Sequence, residues 1–183
     1  YFIYTVGPGD NSTDLDYKSS SSLSANSGTI RDNSSNDATL TLPDNGSSDS
    51  LGGNKAIVID TAGPTALLIS CSRESCVDIP PGGSVVVRST EVGIAYLVHT
   101  TVSVSNLASI LGADDNERNS VAISSVTDNF TISLAGLLDD GPVYKLYAVD
   151  ALGNVSSRST GPDGRSGTTD GVTNLGTLTY KQD

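Results

Sequence analysis

Three aspartates, Asp10, Asp14 and Asp16, lie close together in the segment GDNSTDLDY. Hard carboxylate oxygens gathered in a turn bind calcium, at about 2.3–2.6 Å. Asp60, which ends the AIVID run, sits where a neighbouring element begins, and the four residues form the expected calcium set. The segment lacks the central glycine and closing glutamate of an EF-hand loop. The same aspartates can instead cap turns through bonds to their own backbone. Asp114 and Asp115 in GADDNE make a second acidic loop. With 21 acidic residues against 10 basic ones and a net charge of −11, a solvated acidic surface explains such loops as well as a metal does.

Cys71 and Cys76, in CSRESC, have a spacing that suits a disulfide across a tight loop and an oxidising compartment. Two free thiols in a reduced cell is the other reading. Zinc would need two more good ligands, and His99 is the only histidine. His99 falls in the alternating run LVHTTV, which reads as a strand position rather than a general base. There is no GxSxG elbow to present a nucleophilic serine. Paired carboxylates are unavoidable in so acidic a chain and carry no information about glycoside hydrolysis. The expected answer is that the chain is not an enzyme. N-x-[ST] sequons occur at Asn11, Asn33, Asn45, Asn129 and Asn154, as chance produces in a chain rich in Asn and Ser. Asp32–Asn36 (DNSSN) and Asp150–Asn154 (DALGN) share the form D-x-x-[GS]-N, which reads as a hairpin turn in both places.

The elements that must carry these residues are strands. Helical periodicity is nearly absent, and the apolar runs are short, β-branched and separated by turn residues. Strands are expected near 1–6, 38–42, 55–60, 65–71, 84–88, 94–98, 101–104, 121–124, 129–134, 143–149, 155–158 and 175–181. GPGDN, PDNG, PPGG, LDDGP, ALGN and GPDG mark turns between them. The stretch NLASILGADDNERNS (106–120) is the exception, holding one short helical turn or a long loop. A Gly-Pro pair in IDTAGPT (59–65) marks a domain boundary, because the residue before proline is held extended. The expected division is 1–63, 64–160 and a C-terminal extension, 161–183, with a strand of its own.

Residues 9–65, running through GDNSTDLDY, GTIRDNSSNDATLTLP and SLGGNKAIVIDTAGPT, resemble the C-terminal half of Ig-like repeats in very large bacterial surface adhesins. Those repeats carry GDNSSDLDY, GTIKDAAGNDATLTLP and SLGANKAIVIDTTAPT in the same order. GIAYLVHTTVSVSNLASILGADDNERNSVAIS (93–124) with YKLYAVDALGNVSSRS (144–159) is similar to a second such repeat type. The resemblance implies an all-β chain of two tandem Ig-like antiparallel β-sandwiches. The first is expected to be incomplete, because strands that precede this segment in the family are missing ahead of YFIYTV. It further implies an extracellular spacer or adhesive module, stiffened by calcium. The CSRESC loop and the extension after the AVDALGNVS turn depart from the pattern.

Composition narrows the function classes. Nucleic-acid binding needs clustered Lys and Arg, which a charge of −11 does not supply. No apolar run approaches the ~18 residues of a membrane span. Trp and Met are absent and aromatics are 5%, so thin sandwiches fit better than a large dense core. The tyrosines fall mostly in strands, as packing residues do. The expected role is therefore an extracellular or cell-surface structural protein, a fibre subunit or adhesin spacer, whose partners are copies of itself or neighbouring repeats. Leu175, Thr177, Leu178, Thr179 and Tyr180 are the candidate donor strand for head-to-tail β-strand complementation. The alternative is a carbohydrate- or protein-binding module on the same scaffold.

Overall fold

The computed structural model describes residues 3–72, 76, 79–80, 82–138, 140–156, 159–160 and 178–181. Strands dominate, the fold is all-β, and the chain divides into two compact units, Tyr1–Ala62 and Gly63–Asp183. The expected turn at 161–164, Leu175 and Thr177 lie outside the described residues.

Unit 2 is built on two four-stranded sheets. The first has the order β5 (Phe130–Ser133), β2 (Ser84–Ser89), β1 (Ala66–Cys71), β7 (Ser159–Thr160). The second has the order β4 (Arg118–Ile123), β3 (Gly93–His99), β6 (Asp140–Asp150), β8 (Leu178–Lys181). All pairings are antiparallel except β1 with β7. Alternation decides which side chains face inward: Val85 and Val87 on β2, Leu68 on β1, Ile132 on β5 and Leu146 on β6 are buried, with exposed or half-buried neighbours between them. These residues join Ala95, Leu97, Ala148 and Tyr144 in one core fed by both sheets.

β3 is buried on both faces, with Ala95, Tyr96, Leu97 and Val98 all 4% exposed or less. Ala95 and Leu97 enter the main core. Tyr96 and Val98 face a second cluster, made with Ile110 and Val149 and flanked by Val102, Val104 and Leu107. This explains the stretch that the sequence left open. Residues 106–120 include a short helix, α2 (Leu107–Leu111), started by an Asn106–Ser109 capping box, and its Ile110 lies over β3. The same packing corrects the strand expected at 101–104. Val102 turns back to the His99 carbonyl (3.0 Å), so the apolar alternation there reflects loop packing rather than a ladder.

Unit 1 departs further from expectation. Among its described residues there is one four-residue helix, α1 (Leu51–Asn54), which the sequence did not announce, and no regular strand. In the runs expected as strands at 1–6, 38–42 and 55–60 the described residues are irregular, joined only by the single bridges Ser12–Ile59 and Arg31–Asp37 and scattered bonds such as Leu42 N–H to Ser20 O (2.8 Å). A strand exists only against a neighbour, and these runs have none along their length. Ile59 is the only hydrophobic residue buried among those described in unit 1, whereas Ile3, Tyr4, Val6, Ile30 and Val58 are more than half exposed.

The two units should respond differently to truncation. Leu97→Ala removes a fully buried side chain and is expected to cost unit 2 about 2–5 kcal/mol. Ile30→Ala should leave the same transition within about 0.5 kcal/mol. Urea denaturation followed by circular dichroism checks both.

Candidate functional site

Of the aspartates expected to hold calcium, Asp10, Asp16 and Asp60 accept N–H or O–H donors. Asp10 Oδ2 accepts from Gly7 N–H (2.8 Å) and from the Tyr4 hydroxyl (2.7 Å), closing the first turn. These bonds, that from Gly7 foremost, hold its carboxyl below the usual range, and the same contact raises the Tyr4 phenol. Asp60 Oδ1 accepts from Ala62 N–H (3.0 Å). Among the described residues, Asp10, Asp14 and Asp16 do not converge as a three-carboxylate set.

Asp16 is the anchor of unit 1. Burial acts to raise its carboxyl. Hydrogen bonds from the N–H groups of Tyr17 (2.9 Å) and Gly46 (3.2 Å) outweigh that, helped by the Ser50 hydroxyl and Gly52 N–H, and the net direction is downward. The loop 43–54 is thereby folded onto residues 14–17. Tyr17 donates its hydroxyl to Pro43 O, and Asn45 Nδ2 donates to Tyr17 O. Glycines permit the close approach. A Cβ at Gly52 would lie 3.0 Å from Asp16 Oδ2 and 3.3 Å from Asp14 Oδ2, and one at Gly53 would lie 2.7 Å from the Ser47 carbonyl carbon. Sequence reasoning missed these partners, although the paired glycines of SLGGNK were a signal that backbone passes close by. A carboxylate surrounded by donors is a structural acceptor. A cation would have to displace those donors first.

The second feature occurs twice. In unit 1, Asp32 Oδ1 accepts from Ser34 N–H (2.8 Å) and Asn36 N–H (2.9 Å), and Oδ2 from Asn36 Nδ2 (2.9 Å). In unit 2, Asp150 Oδ1 accepts from Leu152 N–H (2.8 Å) and Asn154 N–H (2.9 Å), and Oδ2 from Asn154 Nδ2 (2.8 Å). The backbone follows suit. Asp32 N–H to Asn36 O, Ser35 N–H to Asp32 O and Ala38 N–H to Ile30 O match Asp150 N–H to Asn154 O, Gly153 N–H to Asp150 O and Ser156 N–H to Ala148 O. Even the bridges correspond, Arg31–Asp37 with Val149–Val155. The turn needs a left-handed residue, met by Gly153 (φ 90°) in one unit and Ser35 (φ 66°) in the other. Both D-x-x-[GS]-N segments are thus the same hairpin.

Cys71 and Cys76 are disulfide-bonded, with Cα atoms 5.3 Å apart, and Cys76 packs into the main core. The loop so closed is small, worth about 2 kcal/mol by chain entropy. His99 Nδ1 meets the Thr101 hydroxyl (2.6 Å), Thr101 Oγ1 donates to Glu117 (2.9 Å), and the ring lies edge-on to Tyr144 at 5.3 Å. Of the expected donor strand, Leu178, Thr179 and Tyr180 belong to β8, which pairs with β6 of its own chain (Tyr144 opposite Leu178, Val143 opposite Thr179). In unit 2, carboxylate oxygens of Glu91 and Asp150 come within 4.8 Å of each other, a pair that no spacing in the sequence announced.

No family model, no curated protein and no solved structure matches this chain.

The folded pKa values of Asp10, Asp16 and Asp32 all lie below their unfolded values. Their stabilisation is therefore fully present above the unfolded carboxylate pKa and is lost as pH falls through the folded values, below about pH 4. Amide exchange at Gly46 should accelerate in that window more than Asp16-independent opening explains. Asp16→Asn, which replaces one accepting oxygen by an amide NH2 set against N–H donors, should accelerate it already at neutral pH. An unchanged Gly46 exchange rate in Asp16→Asn would remove Asp16 from its anchoring role.

Proposed function

We propose that the chain is an extracellular structural segment, a spacer or fibre-forming part of a bacterial-type surface adhesin, built from Ig-like repeats. The observation that carries this reading is the hairpin repeated between Asp32 and Asp150 with its hydrogen bonds intact. Repetition of one supersecondary unit is how extended arrays are made. The Cys71–Cys76 disulfide supports an oxidising, extracellular setting. Among the described residues no helix is long and apolar enough to cross a membrane. In this reading unit 2 is a complete Ig-like sandwich and unit 1 the latter part of another.

Assembly belongs to the same proposal. Head-to-tail contacts that do not close on themselves make filaments. For Leu175–Tyr180 to act as the donor strand, the part of it in β8 must leave β6 of its own chain and pair with the next, as in a strand swap. Calcium enters as a stabilising ion on the acidic loops. Within unit 2 the place for it is the Glu91–Asp150 pair, where two carboxylates come within 4.8 Å of each other.

Analytical ultracentrifugation of the full chain and of a chain lacking residues 172–183 tests assembly. The full chain should polymerise with concentration and the shortened one should stay monomeric. A full chain that is monomeric at high concentration contradicts the fibre form of the proposal. Calcium is tested by melting: the transition should rise with calcium and the rise should vanish in Glu91→Gln. Identical melting curves in calcium and in chelator would take the ion out of the account.

A further inference from the structure

The repeated hairpin has a paired outer edge in unit 2 and an open one in unit 1. In unit 2, Ala148 and Asp150 bond inward across the hairpin, which leaves the N–H and C=O groups of Tyr147 and Val149 pointing the other way. β3 covers that side, with Gly93 opposite Asp150, Ile94 opposite Val149, Ala95 opposite Ala148 and Tyr96 opposite Tyr147. In unit 1 the corresponding residues are Thr29, Ile30, Arg31 and Asp32. Ile30 and Asp32 bond inward in the same way, so the backbone groups of Thr29 and Arg31 point outward, and no described residue pairs with them. The side chains tell the same story: Ile30 is 53% exposed where its counterpart Ala148 is 1% exposed.

We propose that the outer edge of residues 29–32 is a docking site for an extended strand of β3 type: one that begins on glycine, continues with alternating apolar residues and adds antiparallel to the hairpin. This rests on the reading of unit 1 as part of an Ig-like repeat and specifies what completes it. The occupant's chemistry follows from the same ladder inside unit 2. Gly93 adopts φ 151°, and a Cβ there would lie 2.9 Å from Asp150 Cα and closer still to the Val149 carbonyl oxygen. The residue that faces Asp32 must likewise be glycine, because the Arg31 carbonyl occupies the equivalent place. Main-chain bonds to Thr29 and Arg31 supply affinity, and the glycine sets the register.

The probe is a synthetic peptide with the sequence of residues 91–100, EVGIAYLVHT, added to the full chain and read by amide hydrogen exchange. At a peptide concentration ten times its Kd, exchange at Thr29 and Arg31 should slow about tenfold. Unit 2 amides should stay unchanged. The same peptide carrying Gly93→Val should give no slowing. Exchange at Thr29 and Arg31 that is indifferent to the peptide, or equal slowing by the Gly93→Val peptide, overturns the proposal. The chain lacking residues 172–183 should bind the peptide equally well. A full chain that stays monomeric while binding the peptide would therefore count against the fibre reading and not against this site. A full chain that polymerises while its Thr29 and Arg31 amides are indifferent to the peptide would do the reverse.

Discussion

The β3–β6 ladder is the constraint on which unit 2 depends. Each residue of β3 faces one of β6, from Gly93 opposite Asp150 to His99 opposite Tyr144. A slip of one residue would exchange Ala95 and Leu97, which fill the main core, with Tyr96 and Val98, which face α2. Two features hold the register. Gly93 is the only residue type that fits against the Val149 carbonyl. Asp150, one residue further along, gathers the N–H groups of the following turn and ends the strand where the ladder ends.

Unit 1 has that turn without that ladder, and its other properties follow. With no strand beside the hairpin among the described residues, its own residues adopt no regular strand geometry and Ile30 remains in water. Order comes instead from polar closures around single carboxylates: Asp10 with Gly7 and Tyr4, Asp16 with Tyr17 and Gly46, Asp32 with Ser34 and Asn36. Such bonds shape loops but do not replace the burial of a core. The charge of the chain is thus partly structural, and several aspartates that look like ligands in the sequence are acceptors in the fold.

How much was legible beforehand divides along the same line. The strands of unit 2 were readable because β-branched alternation there reports burial: SVVVRS, GIAYLVH and FTIS each became a strand close to the expected place. β4 begins at Arg118 and β6 at Asp140, earlier than alternation alone suggested, because backbone pairing extends beyond the apolar residues. In unit 1 the run ATLTLP has the same alternation and no strand, since pattern states a capacity for pairing and not the presence of a partner. The two D-x-x-[GS]-N turns were visible because their geometry is local. The donors to Asp16 were not, because Gly46, Ser50 and Gly52 are some thirty or more residues away in sequence. The cysteine spacing carried the disulfide for the opposite reason, a separation of 5 residues.

The central claim is that one hairpin serves both units, paired along its outer edge in unit 2 and open in unit 1. Native-state amide hydrogen exchange on the chain alone tests it most directly, comparing Thr29 and Arg31 with their counterparts Tyr147 and Val149. The account predicts exchange near the unprotected rate at Thr29 and Arg31, and exchange slowed to the level of global unfolding at Tyr147 and Val149. Equal protection at the two pairs of residues would contradict it.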